Sequence, residues 1–268
     1  MEIVAPTKQI IETDKIALVD ADYIKYLVVD SVMKAQNNKE AYIYENMVHK
    51  FTKERIDHIL NTVKAKGYLF CFSGPAEYTF RSYIAFDKKY KGNRTYVPKY
   101  PQELLDKQEV VKYIRERFPS LQFKDLEADD VLSMLQDEET FIWSKDKDLL
   151  QIPGTHFDIK EERFLEVSKA DAFSFLMTQM LTGDSVDNIS GLKACGPVGA
   201  ANLLTNINVK TMGHTVLTAY MKNHGLVEGL DCFVEAWNLL KLRGNRGEHF
   251  LSKYKHAFDT LRLIKNQK

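Results

Sequence analysis

Short apolar runs that end in carboxylates constrain this chain more than any other feature. Residues 16–20 read IALVD, the stretch from 121 reads LQFKDLEADD, and the stretch from 140 reads TFIWSKDKD. Apolar runs of about four to eight residues bounded by turns are the pattern of strands buried on both faces, which need helices above and below them. A further run, YLFCFS at 68–73, closes on Gly74-Pro75. Helical patterns lie between these runs. Ile43, Met47, Val48, Phe51, Ile56, Ile59, Leu60 and Val63 recur at helical spacing within 43–66, and 103–118 reads as a helix ending before Pro119. THFDIK and RFLEVS, within 155–168, read as a hairpin, and from about 170 the pattern is helical to the end. Alternating strands and helices followed by helices alone predict an α/β fold. We expect a mainly parallel sheet flanked by helices over 1–168 and an α-helical part over 169–268.

Lys plus Arg equals Asp plus Glu, 37 each, so net charge points to no polyanionic partner. A balanced total can still hide segregation of charge. The segment 87–102, DKKYKGNRTYVPKYPQ, is basic and aromatic and poor in aliphatics, and reads as an exposed or mobile element. Cys71, Cys195 and Cys232 match no zinc spacing and fit a reducing compartment. The start, MEIVAPTKQIIETDK, lacks the apolar stretch of a signal peptide, and no run approaches the roughly 20 apolar residues of a membrane helix. A soluble, cytoplasmic protein is expected.

The acids concentrate in four places: Asp20; Glu127, Asp129 and Asp130; Asp146 and Asp148; Asp184 and Asp187. The first three groups fall at or just beyond the carboxyl ends of predicted strands, the edge where open α/β sheets bind ligands. Carboxylates brought within about 4–6 Å raise one another's pKa unless a cation neutralises them. Oxygen donors without His or Cys suit Mg²⁺ or Mn²⁺ rather than zinc. So many acids exceed what one such ion uses, and two ions roughly 3.5–4 Å apart would serve in-line phosphoryl chemistry. Singly, acids such as Asp129 and Asp130 read as helix-start residues that favour the dipole. Their co-occurrence favours the site. Asp22 and Asp125, near the strand ends, are left as surface acids, and the histidines show no ligand spacing.

Residues 176–204 read LMTQMLTGDSVDNISGLKACGPVGAANLL. A helix ends at Gly183, and a loop containing Gly191, Lys193, Gly196 and Gly199 leads into the apolar helix AANLL. The free N–H groups at a helix start suit phosphate, so the hairpin can grip a nucleic-acid backbone without reading bases. A plain packing corner between helices is the competing reading.

IALVDAD, YKGNR, LEADD, SKDKDLLQI and GDSVDNISGLKACGPVGAANLL, in that order, resemble the motifs of the 5′-nucleases of bacteria and bacteriophages, which include 5′-exonucleases, flap endonucleases and the 5′-nuclease domain of bacterial DNA polymerase I. The resemblance runs from about residue 16 to about 205. It implies a PIN-like α/β domain with a helical arch at about 87–118 and a helix–three-turn–helix motif at about 176–205 in a DNA-binding part. It implies metal ligands at Asp20, Glu127, Asp129, Asp130, Asp146, Asp148, Asp184 and Asp187, shared between two Mg²⁺ or Mn²⁺ ions, and K⁺ at the helix–three-turn–helix loop. Lys91 and Arg94 would face the scissile phosphate as catalytic residues. There are two departures. The family has an acid after its second strand where this chain has Ser73, with Glu77 nearby, and a basic residue where it has Leu27, with Lys25 close by.

The implied activity is metal-dependent 5′-3′ exonuclease or flap-endonuclease hydrolysis of DNA, in phage replication or degradation. Partners would be DNA with 5′ ends, flaps or single-strand/duplex junctions, and RNA–DNA hybrids, bound by a monomer. Arg81, Tyr96, Gly191, Lys193, Gly196 and Gly199 are the candidate DNA contacts. Arg81 can instead pair with an acid, and Tyr96 and Tyr100 can instead pack the arch onto the body. Alternatives are a PIN-type ribonuclease removing RNA primers and a non-catalytic, structure-specific DNA-binding protein.

Overall fold

A computed structural model describes residues 10–37, 44–244 and 253–267. The extreme start of the chain and His249 therefore lie outside the described residues. The strands in chain order are β1 (Ile11–Glu12), β2 (Ile16–Asp20), β3 (Val63–Lys64), β4 (Gly67–Phe72), β5 (Ser120–Gln122), β6 (Thr140–Trp143), β7 (Gly154–Asp158) and β8 (Arg163–Val167). β1 and β3 pair as a small parallel ribbon. The main sheet has the order β5-β4-β2-β6-β7-β8, parallel except for the antiparallel β7–β8 hairpin. This is the expected α/β arrangement, with β2 at the centre and the acids at the end of β2 and after β6 at one edge.

Period-two alternation sorts the side chains of the central strands. Ala17, Val19, Phe70, Phe72, Phe141 and Trp143 face a core shared with α1 (Ala21–Asn37), α2 (Tyr44–Thr62) and α4 (Glu103–Arg115). Ile16, Leu18, Leu69, Cys71 and Ile142 face the opposite core, covered by α5 (Ala128–Leu135). The short helix α3 (Phe80–Ile84) follows β4. The helices α6 (Lys169–Thr182), α7 (Pro197–Leu204), α8 (Val209–His224) and α9 (Leu226–Leu240) build a third core around Met177, Met180, Leu181, Val216 and Tyr220. No helix among the described residues is long and apolar enough to cross a membrane.

The structure differs from the sequence reading in several places. The helix expected over 43–66 ends at Thr62, and residue 43 lies outside the described residues. Val63 is fully buried and pairs with Ile11, so a β-branched residue goes to the ribbon rather than to another helical turn. The helix expected over 103–118 ends at Arg115, because Pro119 disfavours helical backbone at the residue before it. This helix, α4, is not part of a free-standing arch. Val110 and Ile114 bury it against the body with α1 and α2. Residues 85–102 carry no α-helix, since Gly92, Pro98, Pro101 and a shortage of aliphatics leave no apolar stripe to dock.

The chain also returns across the boundary expected at 168/169. The last described helix, α10 (Lys255–Lys265), presents Ala257, Leu261 and Ile264 at i, i+4 and i+7 to the sheet core. A Cβ on Gly67 would come within 2.4 Å of the Ile264 Cγ2, so the glycine leaves room for this helix. We expect Ile264→Ala to cost about 2–5 kcal/mol of unfolding free energy in a urea titration. A loss under about 0.5 kcal/mol, the size of a surface substitution, would remove α10 from the core.

Candidate active site

The carboxyl edge of the sheet, the start of α5 and the loop after α6 enclose a cavity of about 790 Å³. Asp20, Glu127, Asp129, Asp146, Asp148, Asp184 and Asp187 all line it. Asp20 has the same parity in β2 as Ile16 and Leu18, which directs it to the α5 side of the sheet. Its Oδ1 accepts the Asp22 N–H at 3.1 Å, at the start of α1, and its Oδ2 accepts the Ser144 hydroxyl at 2.9 Å. Ser144 Oγ in turn accepts the Asp146 N–H at 3.0 Å, and Asp146 Oδ1 accepts the Asp148 N–H at 2.9 Å. Asp148 accepts Gln179 Nε2–H from α6 at 2.9 Å, which ties the exit of β6 to the helical part.

The hairpin loop is held by its own backbone. Asp184 and Ile189 exchange N–H···O bonds at 3.0 and 2.8 Å, and Asp184 Oδ1 accepts the Val186 and Asp187 N–H groups. Gly183, at φ 69°, packs against Gly191, whose added Cβ would lie 2.3 Å from the Gly183 nitrogen. Gly191 thus closes the loop, and this close approach is what requires glycine there.

Electrostatics show what the crowding costs. Burial, then the charges of Asp22 and Asp146, push the Asp20 carboxyl up to about 7. Burial, then Asp20 and Asp146, drive Asp129 well above the ordinary carboxylate range, and its carboxylate accepts no hydrogen bond among the described residues. Burial, then Asp146 and Asp184, bring Asp148 to about 6. Burial also raises Asp187 despite Lys91 and Arg94. Glu127 goes the other way: burial opposes its charge, but Arg81 and Lys91 hold it below the usual range. As they stand, no three His, Cys, Asp or Glu side chains among the described residues are grouped so as to hold an ion.

Residues 85–102 bring the basic side of the site. Lys91, in the left-handed region at φ 53°, donates its N–H to the Asp187 carbonyl at 2.9 Å and its ammonium to Glu127. Arg94 pairs with Asp187 and donates Nε–H to the Val186 carbonyl at 3.0 Å. The Tyr90 hydroxyl lies 2.8 Å from both Glu127 and Asp187. A phenol has one proton to donate, so it serves one of these acids at a time.

The structure separates the remaining candidates. Asp130 does not line the cavity. It is fully buried, its oxygens receive Arg81 Nη1 and Nη2 at 2.6 and 2.9 Å, and it also accepts the Arg243 N–H at 2.9 Å. Arg81 is buried as well and donates to Glu127 and the Leu239 carbonyl, so it pairs with acids and is not placed to contact DNA. Tyr100 packs inside, whereas Tyr96 is exposed and stands beside the Lys107 ammonium, 5.0 Å from its ring centre. Tyr90, expected in an exposed element, is buried among the acids. Lys193 and Gly196 are exposed, with open space around Gly196, and a Cβ on Gly199 would meet Cys195 Sγ at 3.3 Å. Glu77 is exposed and outside the cavity, while Asp22, left as a surface acid, lines it. Only the position of Asp22 two residues after Asp20 could have flagged it.

The 5′-3′ exonuclease N-terminal resolvase-like domain matches residues 15–176, more than half of the chain. The chain belongs to the 5′-3′ exonuclease family. A 5′-3′ exonuclease of Mycoplasmopsis pulmonis is 28% identical over 220 residues, 75% of this chain and 69% of that protein. A 5′-3′ exonuclease of Aquifex aeolicus is 32% identical over 150 residues, 50% of each. In fold, this exonuclease is similar to a T5 protein co-crystallised with metal ions, with a TM-score of 0.64 at 15% identity, covering 93% of this chain and 99% of the other. It is also similar to a bacteriophage T5 flap endonuclease in a pseudo-enzyme–product complex with DNA and metal ions, with a TM-score of 0.54 at 16% identity, covering 94% and 99%.

Two outcomes follow for the protein without added metal. Asp130→Ala removes the two-point partner of the buried Arg81 and leaves it Glu127 alone, and should cost about 3–5 kcal/mol in urea, whereas Arg81→Met with Asp130→Leu should cost much less. Equal losses would show that the pair contributes packing rather than charge compensation. Asp20 and Asp148 bind protons more tightly when folded than at their ordinary value of 3.8. Their stabilising contribution is complete below that value and is lost as pH rises through about 6 and about 7. The melting temperature in chelator should therefore fall from pH 5 to pH 8; a rise would contradict the crowding.

Proposed function

We propose that this exonuclease hydrolyses DNA at 5′ ends, flaps and single-strand/duplex junctions, using two Mg²⁺ or Mn²⁺ ions held by Asp20, Glu127, Asp129, Asp146, Asp148, Asp184 and Asp187. The observation that carries the proposal is that carboxylates from four separate segments open on one cavity. The donors fit hard cations: all are oxygens, the Asp129 carboxylate accepts no hydrogen bond among the described residues, and burial together with the neighbouring acids disfavours their ionised forms, which dications restore. The loose grouping suits ions that keep several waters of their own. Bound there, such ions supply an activated water and neutralise charge on the phosphate. Asp130 is left out of this set, because Arg81 occupies its oxygens.

The chain's own residues do the positioning. Lys91 and Arg94, now paired with Glu127 and Asp187, stand where they can turn to a phosphate oxygen once dications take over those acids. Arg offers a planar fork and Lys a point charge. The α6–α7 hairpin grips the duplex backbone. With Pro197 at the first turn and the Ala200 N–H already bonded to the Gly196 carbonyl, the amides of Val198 and Gly199 are free of the helix ladder. Lys193 adds charge, and the loop carbonyls are the proposed K⁺ ligands. Tyr96, 56% exposed, suits stacking against an unpaired base. The protein works as a monomer in the cytoplasm of a bacterial or phage-infected cell. The free thiols of Cys71, Cys195 and Cys232 fit that compartment.

End-labelled flap DNA, nicked duplex, RNA–DNA hybrid and single-stranded RNA, each with Mg²⁺ or chelator, test the reading. Asp146→Asn should abolish metal-dependent cleavage of the DNA substrates while leaving folding intact. Lys91→Ala should lower kcat by about 10²–10³ with a small change in KM. Full activity in Asp146→Asn, or cleavage confined to single-stranded RNA, would overturn the proposal.

A further inference from the structure

Strand β4 lies beside β2, yet its exit brings no acid to the crowded edge. The register pairs Asp20 with Cys71, so continuing it in parallel sets residue 22 opposite residue 73. There the Asp22 carboxylate accepts the Ser73 N–H, with both oxygens at 3.3 Å. Both residues line the acid cavity. The Ser73 hydroxyl is turned to α5, where it accepts the Ala128 N–H at 2.9 Å. The corner beside β4 is therefore filled by a carboxylate that arrives from the first turn of α1.

We propose that Asp22 is a further carboxylate of the metal-binding pocket, supplying from α1 the acid that β4 lacks. Two observations beyond the register support it. The Asp22 N–H donates to Asp20 Oδ1 at 3.1 Å and both residues line the cavity, so the two acids share one corner of it. Its only ion-pair partner among the described residues is Lys25, three residues on in α1, at 2.6 Å. Both side chains of that pair are half-buried, and a dication carries twice the charge of the single ammonium it would replace. The chemistry is that of the neighbouring acids: an oxygen donor, direct or through a water, for Mg²⁺ or Mn²⁺.

The inference rests on the metal-dependent reading, and the test separates the two. Mn²⁺ and Mg²⁺ are titrated calorimetrically into the full chain without DNA, and the metal-induced rise in melting temperature is recorded alongside. The proteins compared are wild type, Asp22→Asn, and Asp22→Asn combined with Ser73→Asp, which returns the acid to the end of β4. Asp22→Asn should weaken metal binding about tenfold or more and shrink the thermal rise. The double variant should recover most of both. Wild-type affinity in Asp22→Asn overturns the proposal. So does a weakened Asp22→Asn without recovery in the double variant, which would assign Asp22 to shaping the exit of β4. No metal binding by wild type would instead overturn the parent reading.

Discussion

Repulsion among carboxylates held in one half-buried cavity is the interaction that the neighbouring elements answer. Asp20, Asp129 and Asp148 all hold protons more tightly than ordinary carboxylates, each with burial as the first cause. A fold tolerates such an arrangement only if cations or hydrogen-bond donors stand close by. Here the donors come from every side: Ser144 from the exit of β6, Gln179 from α6, Tyr90, Lys91 and Arg94 from the connection after α3, and Arg81 from α3 itself. Each therefore also fastens its own element to the site. Arg81 shows this most fully, since one guanidinium joins α3 to Asp130 and Glu127 at the start of α5 and to the Leu239 carbonyl in α9.

The same economy explains why residues 85–102 need no helix. Their polar groups are satisfied at both ends. Toward the hairpin, Lys91 bonds to Asp187, Asn93 to the Ser185 carbonyl, and Asn188 to the Lys89 carbonyl. Toward α1 and α4, Lys99 meets Asp30, and the Lys107 ammonium stands over both Tyr26 and Tyr96. The connection thus passes beside the acids anchored by two buried tyrosines, Tyr90 and Tyr100, and otherwise held by charge and hydrogen bonds. Contacts of that kind weaken with salt and can be exchanged for contacts with a polyanion.

Much of this was legible in the residues. The strand IALVD was read to the residue, the β7–β8 hairpin was read from two apolar alternating runs, and the co-occurring acids marked the cavity. What failed was finer. Asp129 and Asp130 are adjacent in sequence and chemically identical, but a helix turns about 100° per residue, so one opens on the cavity and the other on Arg81. Asp22 reads as a surface acid in sequence because its neighbour across the sheet, Ser73, is remote along the chain. Tyr90 sits in a basic stretch that reads as solvated, and only the acids folded against it make a buried phenol useful. α10 lies in the part that reads as helical to the end of the chain, but its docking partner, the sheet around Gly67, is not legible there.

By itself the sequence determined the buried strands at IALVD and YLFCFS, the helical run after about 170, and that hard-cation donors cluster near strand ends, because those properties follow from local periodicity and side-chain chemistry. Only the tertiary structure decided which acids share the cavity, which cation neutralises which acid, and that α10 closes the sheet core. Those outcomes depend on directions and distances between segments far apart along the chain. A rotation of one residue or a shift of one register reverses them without changing any local pattern.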